Sequence, residues 1–186
     1  MDTFKEQLNY ALRCEPIADL FYKKQFDALV KRYDWADEYG REMQRRDIDC
    51  TIYKDGGSPI NLSEKFRDDD WGDMAIEIYS QYPNIQGWAL TSQADLYAYH
   101  TPESLYMVPV PEVRNWLLDN HEALIAICDK VAVSSSNRIK SDINGVKMDF
   151  IKSYTRTANA SWMGICVCIK WKDLEKFNIN YKKYQK

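Results

Sequence analysis

The sequence has little of what marks a membrane, secreted or disordered chain. No apolar run approaches the roughly 18 residues of a membrane span, and the opening MDTFKEQLNYALRCEP has no charged-then-apolar leader pattern. A cytoplasmic address and no membrane partner are therefore expected. Gly (7) and Pro (6) are scarce among 186 residues, which argues against low complexity and disorder. Five Cys (Cys14, Cys50, Cys128, Cys166 and Cys168) are an odd number with no CxxC pair, and His is confined to His100 and His121. A structural zinc site is not expected from that set. Cys166 and Cys168, two apart in GICVCI, read as buried thiols on one face of a strand. No P-loop, GxSxG or GxGxxG is present. Cys–His catalysis would require His100 or His121 to meet a Cys in space, and His121 falls near an expected helix end.

What is present is an apolar fraction of 45%, enough for a core, and an aromatic fraction of 13%. A single α/β domain over 1–186 is expected. N-terminal helices fill 1–45, a core fills 46–130, and a basic strand and loop region fills 131–186. Net charge is −3, which argues against a protein that coats nucleic acid indiscriminately. The charge is uneven: residues 1–100 hold 12 basic and 19 acidic side chains, a balance of −7. Residues 133–186 hold 11 basic and 4 acidic, a balance of +7. An acidic body beside a basic third could hold a cation in one and a polyanion at the other, or simply be a solvated charged surface.

Leu8, Leu12, Leu20, Phe21, Phe26, Leu29 and Val30 recur at helical spacing, and Pro16 is expected to split the stretch into two helices. Asp34 to Arg46 reads as a loop or short helical turn. The run 48–53 and the run 59–66 read as strands joined by a turn at Lys54-Asp55-Gly56-Gly57-Ser58. A strand over 74–79 follows, then an antiparallel pair at 95–100 and 105–110. Pro111 opens a helix that continues to about Leu124. Residues 134–161 are polar, either a functional loop or ordered by strands that the pattern hides. A strand over 162–171 and a short helix over 172–177 complete the order.

Metal-dependent phosphodiester cleavage needs carboxylates to hold a hard cation and a Lys to position the attacking water. Strand alternation suits it, because residues two apart point into one cleft. The sequence offers Asp49 opening a strand, Ser63-Glu64-Lys65 across a hairpin, and Glu77 in Met74-Ala75-Ile76-Glu77-Ile78. Gly87-Trp88-Ala89-Leu90-Thr91-Ser92-Gln93-Ala94-Asp95-Leu96-Tyr97 comes after. This order, over roughly residues 46–116, resembles the PD-(D/E)XK nuclease superfamily, and within it small phage-type members.

The resemblance implies a restriction-endonuclease-like core of α-β-β-β-α-β order and a nuclease acting on DNA with Mg²⁺, for which Mn²⁺ would substitute. Asp49, Glu64 and Glu77 would be the metal ligands, with Lys65 beside them as the catalytic cation. Arg67, Arg138, Lys140, Lys147, Lys152 and Arg156 are the candidate phosphate contacts. One position departs from the family. The acid two residues before the Lys is Ser63. A bulge could turn Glu64 into the cleft, Glu77 could supply the missing carboxylate, or the site could be degenerate. In the last case the chain would be an inactive nuclease-fold module binding nucleic acid or a protein partner, such as a phage accessory factor. A homodimer is also open. The ordinary alternatives are a solvated Glu64-Lys65 edge pair, an Asp49 that caps a turn, and a Glu77 that faces outward from a half-buried strand. Asp68, Asp69, Asp70 and Asp73 lack calcium-loop spacing and read as a solvated turn. Trp71 and Trp88 flank the acid–lysine block in sequence and are read as core or as base-stacking residues.

Overall fold

The structure, a computed structural model, describes residues 3–157 and 160–186. It is mixed α/β, with two sheets. Along the chain come α1 (Thr3–Phe26), β1 (Ala28–Arg32), α2 (Glu38–Arg45), β2 (Cys50–Lys54) and β3 (Ile60–Phe66). Next are β4 (Asp73–Gln81), β5 (Ile85–Gln86), α3 (Trp88–Thr91), β6 (Leu96–His100) and β7 (Ser104–Pro109). Then follow α4 (Val110–Asp119), α5 (His121–Val133), β8 (Arg138–Ile143), β9 (Val146–Arg156) and β10 (Ser161–Lys170). A 3-10 helix (Trp171–Phe177) and β11 (Lys182–Gln185) come last. Among the described residues no helix is long and apolar enough to cross a membrane.

The chain forms two compact units. One comprises Glu6–Asp70, Ser92–Val110 and Tyr181–Lys186; the other comprises Trp71–Thr91 and Pro111–Asn180, with the chain up to Lys5. The segments 1–45, 46–130 and 131–186 each contribute to both.

The first unit is built on a six-stranded sheet of order β1-β2-β3-β6-β7-β11, in which β3 and β6 run parallel and the other neighbours antiparallel. Alternation along β2 and β3 sends Cys50, Ile52 and Leu62 to one face, where they meet Ala18 and Tyr22 of α1. That apolar layer is the unit's core, and it leaves the opposite face of β3 to Ser63 and Lys65. Pro16 does not divide α1, which is one helix with Pro16 inside it. Two anchors hold the helix around the proline. Ala18 and Tyr22 are buried, and Arg32 donates to the Glu15 carbonyl and the Asp19 carboxylate. Leu29 and Val30 are not helical: Asp27 takes a left-handed φ of 50° and ends the helix, so β1 begins at Ala28.

The second unit has an antiparallel sheet of order β5-β4-β10-β9-β8, with α5 packed on β8 and β9. The helix expected from Pro111 to Leu124 is interrupted at Asn120, whose side chain donates to the Trp116 carbonyl; α5 starts afresh at His121. Within the polar stretch 134–161, β8 and β9 form a hairpin, so strands that the pattern hid do order it in part. The hairpin turn is Asn144-Gly145, both at positive φ. Of the β10 thiols, Cys168 is buried and Cys166 half-buried.

Candidate active site

The site is assembled where α2 hands the chain to β2. Helix α2 starts at Asp37, whose carboxylate accepts from the Gly40 N–H. It ends in a Schellman arrangement. The Asp47 N–H donates to the Gln44 carbonyl and the Ile48 N–H to the Met43 carbonyl, with Asp47 left-handed at φ 56°. Glycine usually fills that position. An Asp there carries local strain, and such strain concentrates at functional positions. The turn brings the Asp47 carboxylate over β3, where it accepts from Ser63 Oγ at 2.7 Å and from Lys65 Nζ at 3.2 Å. Ser63 is buried, while the Asp47 and Lys65 side chains keep 22% and 20% of their exposure, so solvent reaches the pair.

Asp49, two residues on, enters the sheet at the start of β2. Its Oδ2 accepts from the Glu64 N–H at 2.7 Å, and its Oδ1 from Gln44 Nε2 at 3.4 Å. Gln44 also donates to the Tyr33 carbonyl, tying α2 to both groups. Burial pushes the Asp49 carboxyl up to about 6; the Asp47 charge adds to that push, and Lys65 and the Glu64 amide oppose it. Asp47, Asp49, Ser63 and Lys65 thus form one polar cluster on the sheet face turned away from α1. Asp47 is the member that sequence spacing missed.

Glu64 does not belong to that cluster. β3 is regular here and carries no bulge, so Glu64 faces α1, opposite to Lys65. Its carboxylate, 1% exposed, is bound by Arg32 Nη1 at 2.5 Å and by the Tyr22 hydroxyl at 2.8 Å. With the Tyr22 proton given to Glu64, the Tyr22 oxygen accepts from His100 Nε2 at 2.8 Å. Burial alone would raise the Glu64 pKa. Hydrogen bonds from His100 and Arg32, with the Arg32 charge, outweigh it and hold the group at about 2. Burial also lowers the His100 pKa, which favours the neutral ring.

Glu77 lies in the other unit, on β4. It accepts from Ser80 Oγ and from the Trp88 N–H that opens α3. Gly87 makes that possible, because a Cβ there would stand 2.2 Å from the Glu77 carbonyl oxygen. Gly87→Ala is therefore expected to destabilise the chain by about 1–3 kcal/mol through forced displacement of backbone, read as a lower urea midpoint. An unchanged midpoint would show that α3 moves aside freely. Trp71 and Trp88 belong to this unit as well.

The candidate phosphate contacts divide similarly. Arg67 follows β3 in the first unit, its guanidinium 5.6 Å from the Tyr99 ring centroid. Arg138, Lys140 and Lys147 share the outer face of the β8–β9 hairpin with Asp142 and Asp149. Lys140 stands across the ladder from Asp149, which also pairs with Arg138 at 3.3 Å, and Lys147 stands across from Asp142. That face is close to charge-balanced. Lys152 points to the other side of β9 and is buried, its ammonium donating to the Ala132 and Ser134 carbonyls at the end of α5. It caps a helix rather than facing a polyanion. Arg156 is exposed at the end of β9.

Among the described residues, no group of three or more His, Cys, Asp or Glu side chains is arranged to hold a metal ion. The polar cluster does supply hard oxygen donors: two carboxylates and the Ser63 hydroxyl. Mg²⁺ commonly takes one or two carboxylates and keeps several waters, so this donor set fits it. Comparison with family models, with curated proteins and with solved structures returns no match.

Proposed function

We propose that the chain is a metal-dependent nuclease that hydrolyses DNA phosphodiester bonds, with a restriction-endonuclease-like core in the unit carrying β2 and β3. The observation that carries this reading is the convergence of Asp47, Asp49, Ser63 and Lys65 on one solvent-reached sheet face. An antiparallel β2–β3 pair followed by a parallel β6, backed by α1, supports the core assignment.

Asp47 and Asp49 would hold Mg²⁺ or Mn²⁺. The ion would neutralise charge on the scissile phosphate and acidify a water. Lys65 orients the attacking water and faces the phosphate charge. Ser63 fixes the Asp47 carboxylate by its hydrogen bond, and Gln44 and the Glu64 amide fix Asp49. Arg67 is the phosphate contact nearest to Lys65 in sequence, and Arg156 is exposed at the end of β9. Arg138, Lys140 and Lys147 contribute little through their acid partners.

Supercoiled plasmid and single-stranded DNA, incubated with Mg²⁺ or Mn²⁺, test the reading. Lys65→Ala is expected to slow cleavage by about 10²-fold or more. Absence of cleavage by the wild-type chain on either substrate, with no heat of Mn²⁺ binding by calorimetry, would overturn it. Ser63 at the acid position favours a second reading, a non-catalytic nucleic-acid-binding module. Salt-dependent DNA binding that survives Asp49→Asn, without cleavage, is its signature.

A further inference from the structure

Three large aromatic side chains stand open to solvent in the unit that carries Asp49: Trp35 is 60% exposed, Tyr39 54% and Tyr53 39%. Alternation sets their face of the sheet. Val30 and Ile52 pack toward α1, so Lys31 and Tyr53 point away from it, as the Asp49 cluster does. Tyr33 continues β1 on that face, its hydroxyl 2.8 Å from Thr51 Oγ1. Its N–H donates to the Asp49 carbonyl at 3.0 Å. Tyr39 meets Tyr33 edge to face, with centroids 5.6 Å apart. The Lys31 ammonium lies 4.6 Å from the Tyr39 centroid and 5.5 Å from that of Tyr33. Gln44 bonds both the Tyr33 carbonyl and the Asp49 carboxylate, so one side chain ties the rings to the cluster. The turn that carries Trp35 is fixed from several sides. Asp34 accepts from the Ala36 N–H at 2.8 Å, and Arg41 Nη1 donates to the Trp35 carbonyl at 3.1 Å. Gly40 lets α2 close on the turn, because a Cβ there would stand 2.1 Å from the Asp34 carbonyl oxygen. The Trp35 indole itself makes no hydrogen bond or ring contact among the described residues.

We infer that Trp35, Tyr39 and Lys31 form a platform for the unpaired bases of a single DNA strand whose backbone runs on to the Asp47–Lys65 cluster. Exposed rings stack on the faces of bases, and every base offers one. In a duplex those faces are covered by the neighbouring pairs, so the platform selects a single strand. Lys31, held over Tyr39, is placed to meet the phosphate between stacked bases. The acids nearby are largely engaged. Asp34 and Asp37 serve backbone N–H groups, and Glu42 has Arg45 at 3.9 Å, which leaves Glu38 open. Stacking therefore carries more of the contact than charge does. The inference rests on the nuclease reading for what happens to the strand, and it names single-stranded DNA as the substrate.

Fluorescence anisotropy of the full chain in EDTA, where nothing is cut, tests the platform. The probes are a labelled unstructured DNA strand of about 16 nucleotides, its matching duplex, and an abasic strand of the same length. The single strand is expected to bind at least about tenfold more tightly than either of the others. Trp35→Ala should weaken it by about tenfold, leaving abasic binding and the melting curve unchanged, and Trp35→Phe should recover most of the loss. Tyr39→Ala should act in the same direction. Abasic or duplex binding as tight as the single strand, or a Trp35→Ala variant that binds like the wild type, would overturn the platform. So would no binding at about 0.1 mM strand. With Mg²⁺ restored, a strand that binds in the expected way yet stays uncut would support the platform and overturn the nuclease reading.

Discussion

Glu64→Ala is expected to lower the stability of the chain by about 2–4 kcal/mol at neutral pH. Removing one member of a buried, hydrogen-bonded ion pair strands the other, at a cost of about 3–5 kcal/mol. Arg32 keeps its second partner, Asp19, at 2.7 Å, which moderates the loss. Tyr22 and His100, both buried, also lose the acceptor they share. For a chain of 186 residues the melting temperature should fall by about 5–15 °C. The pH dependence has a definite sign. Glu64 is held at about 2 in the folded chain, below its ordinary carboxylate value. Its contribution is therefore complete above about pH 4.5 and is lost as pH falls toward 2. Glu64→Gln keeps the shape and removes the charge. The gap between it and the wild type should be wide at pH 7 and narrow by about pH 2–3. Urea unfolding at the two pH values measures this. If Glu64 were instead a metal ligand, Glu64→Gln would melt no lower than the wild type and would bind Mn²⁺ less tightly, and the assignment of Glu64 to a buried structural pair would fail.

That Glu64 belongs to the interior was hidden in the sequence for a physical reason. Its partners Tyr22, Arg32 and His100 come from α1, β1 and β6, and no local pattern announces a contact made through the sheet. The neighbouring Lys65 was legible, because strand alternation alone sets it opposite to Glu64. The β2–β3 hairpin was legible too, since β-branched runs flank a turn whose Gly56 takes a positive φ of 69°. Asp49 followed from its place at the mouth of that hairpin. Asp47 did not, because its side chain is aimed by a left-handed residue after a helix, where neither the helical nor the strand period applies. Asp27 escaped notice for the same reason, and with it the change from α1 to β1. The β8–β9 hairpin was different. Asn144-Gly145 is a strong turn signal, but the strands on either side alternate charged and apolar residues and resembled a solvated loop. The division into two units was beyond local reading altogether. The chain crosses between them several times, and no shared composition marks the boundaries, which fall in polar sequence at Thr91/Ser92 and in an apolar run at Val110/Pro111.

Asp49→Asn should separate activity from stability. Asn keeps in Oδ1 an acceptor for the Glu64 N–H, while its Nδ2 would face Gln44 Nε2, donor against donor, so only the long 3.4 Å contact with Gln44 is given up. What it removes is a negative charge that burial disfavours. The folded-state pKa of Asp49 is raised to about 6, above its ordinary value near 3.8. A carboxyl with a raised folded pKa costs nothing below the unfolded value, where both states are protonated. The cost grows as pH rises from about 4 and is complete above about 6. At pH 8, Asp49→Asn should therefore be more stable than the wild type by on the order of 1–2 kcal/mol, and at pH 4 the two should melt together. On the nuclease reading the same substitution should cut Mg²⁺-dependent cleavage by about 10³-fold or more, since a metal-holding carboxylate is gone. Gain of stability with loss of activity is what a site under electrostatic strain produces. Lys65→Ala should behave oppositely in the melt: it removes the cation that offsets Asp47 and Asp49, and stability falls as pH rises through 6. If Asp49→Asn were less stable than the wild type at pH 8, Asp49 would be a structural cap that the fold relies on, and its raised carboxyl would give no support to catalysis.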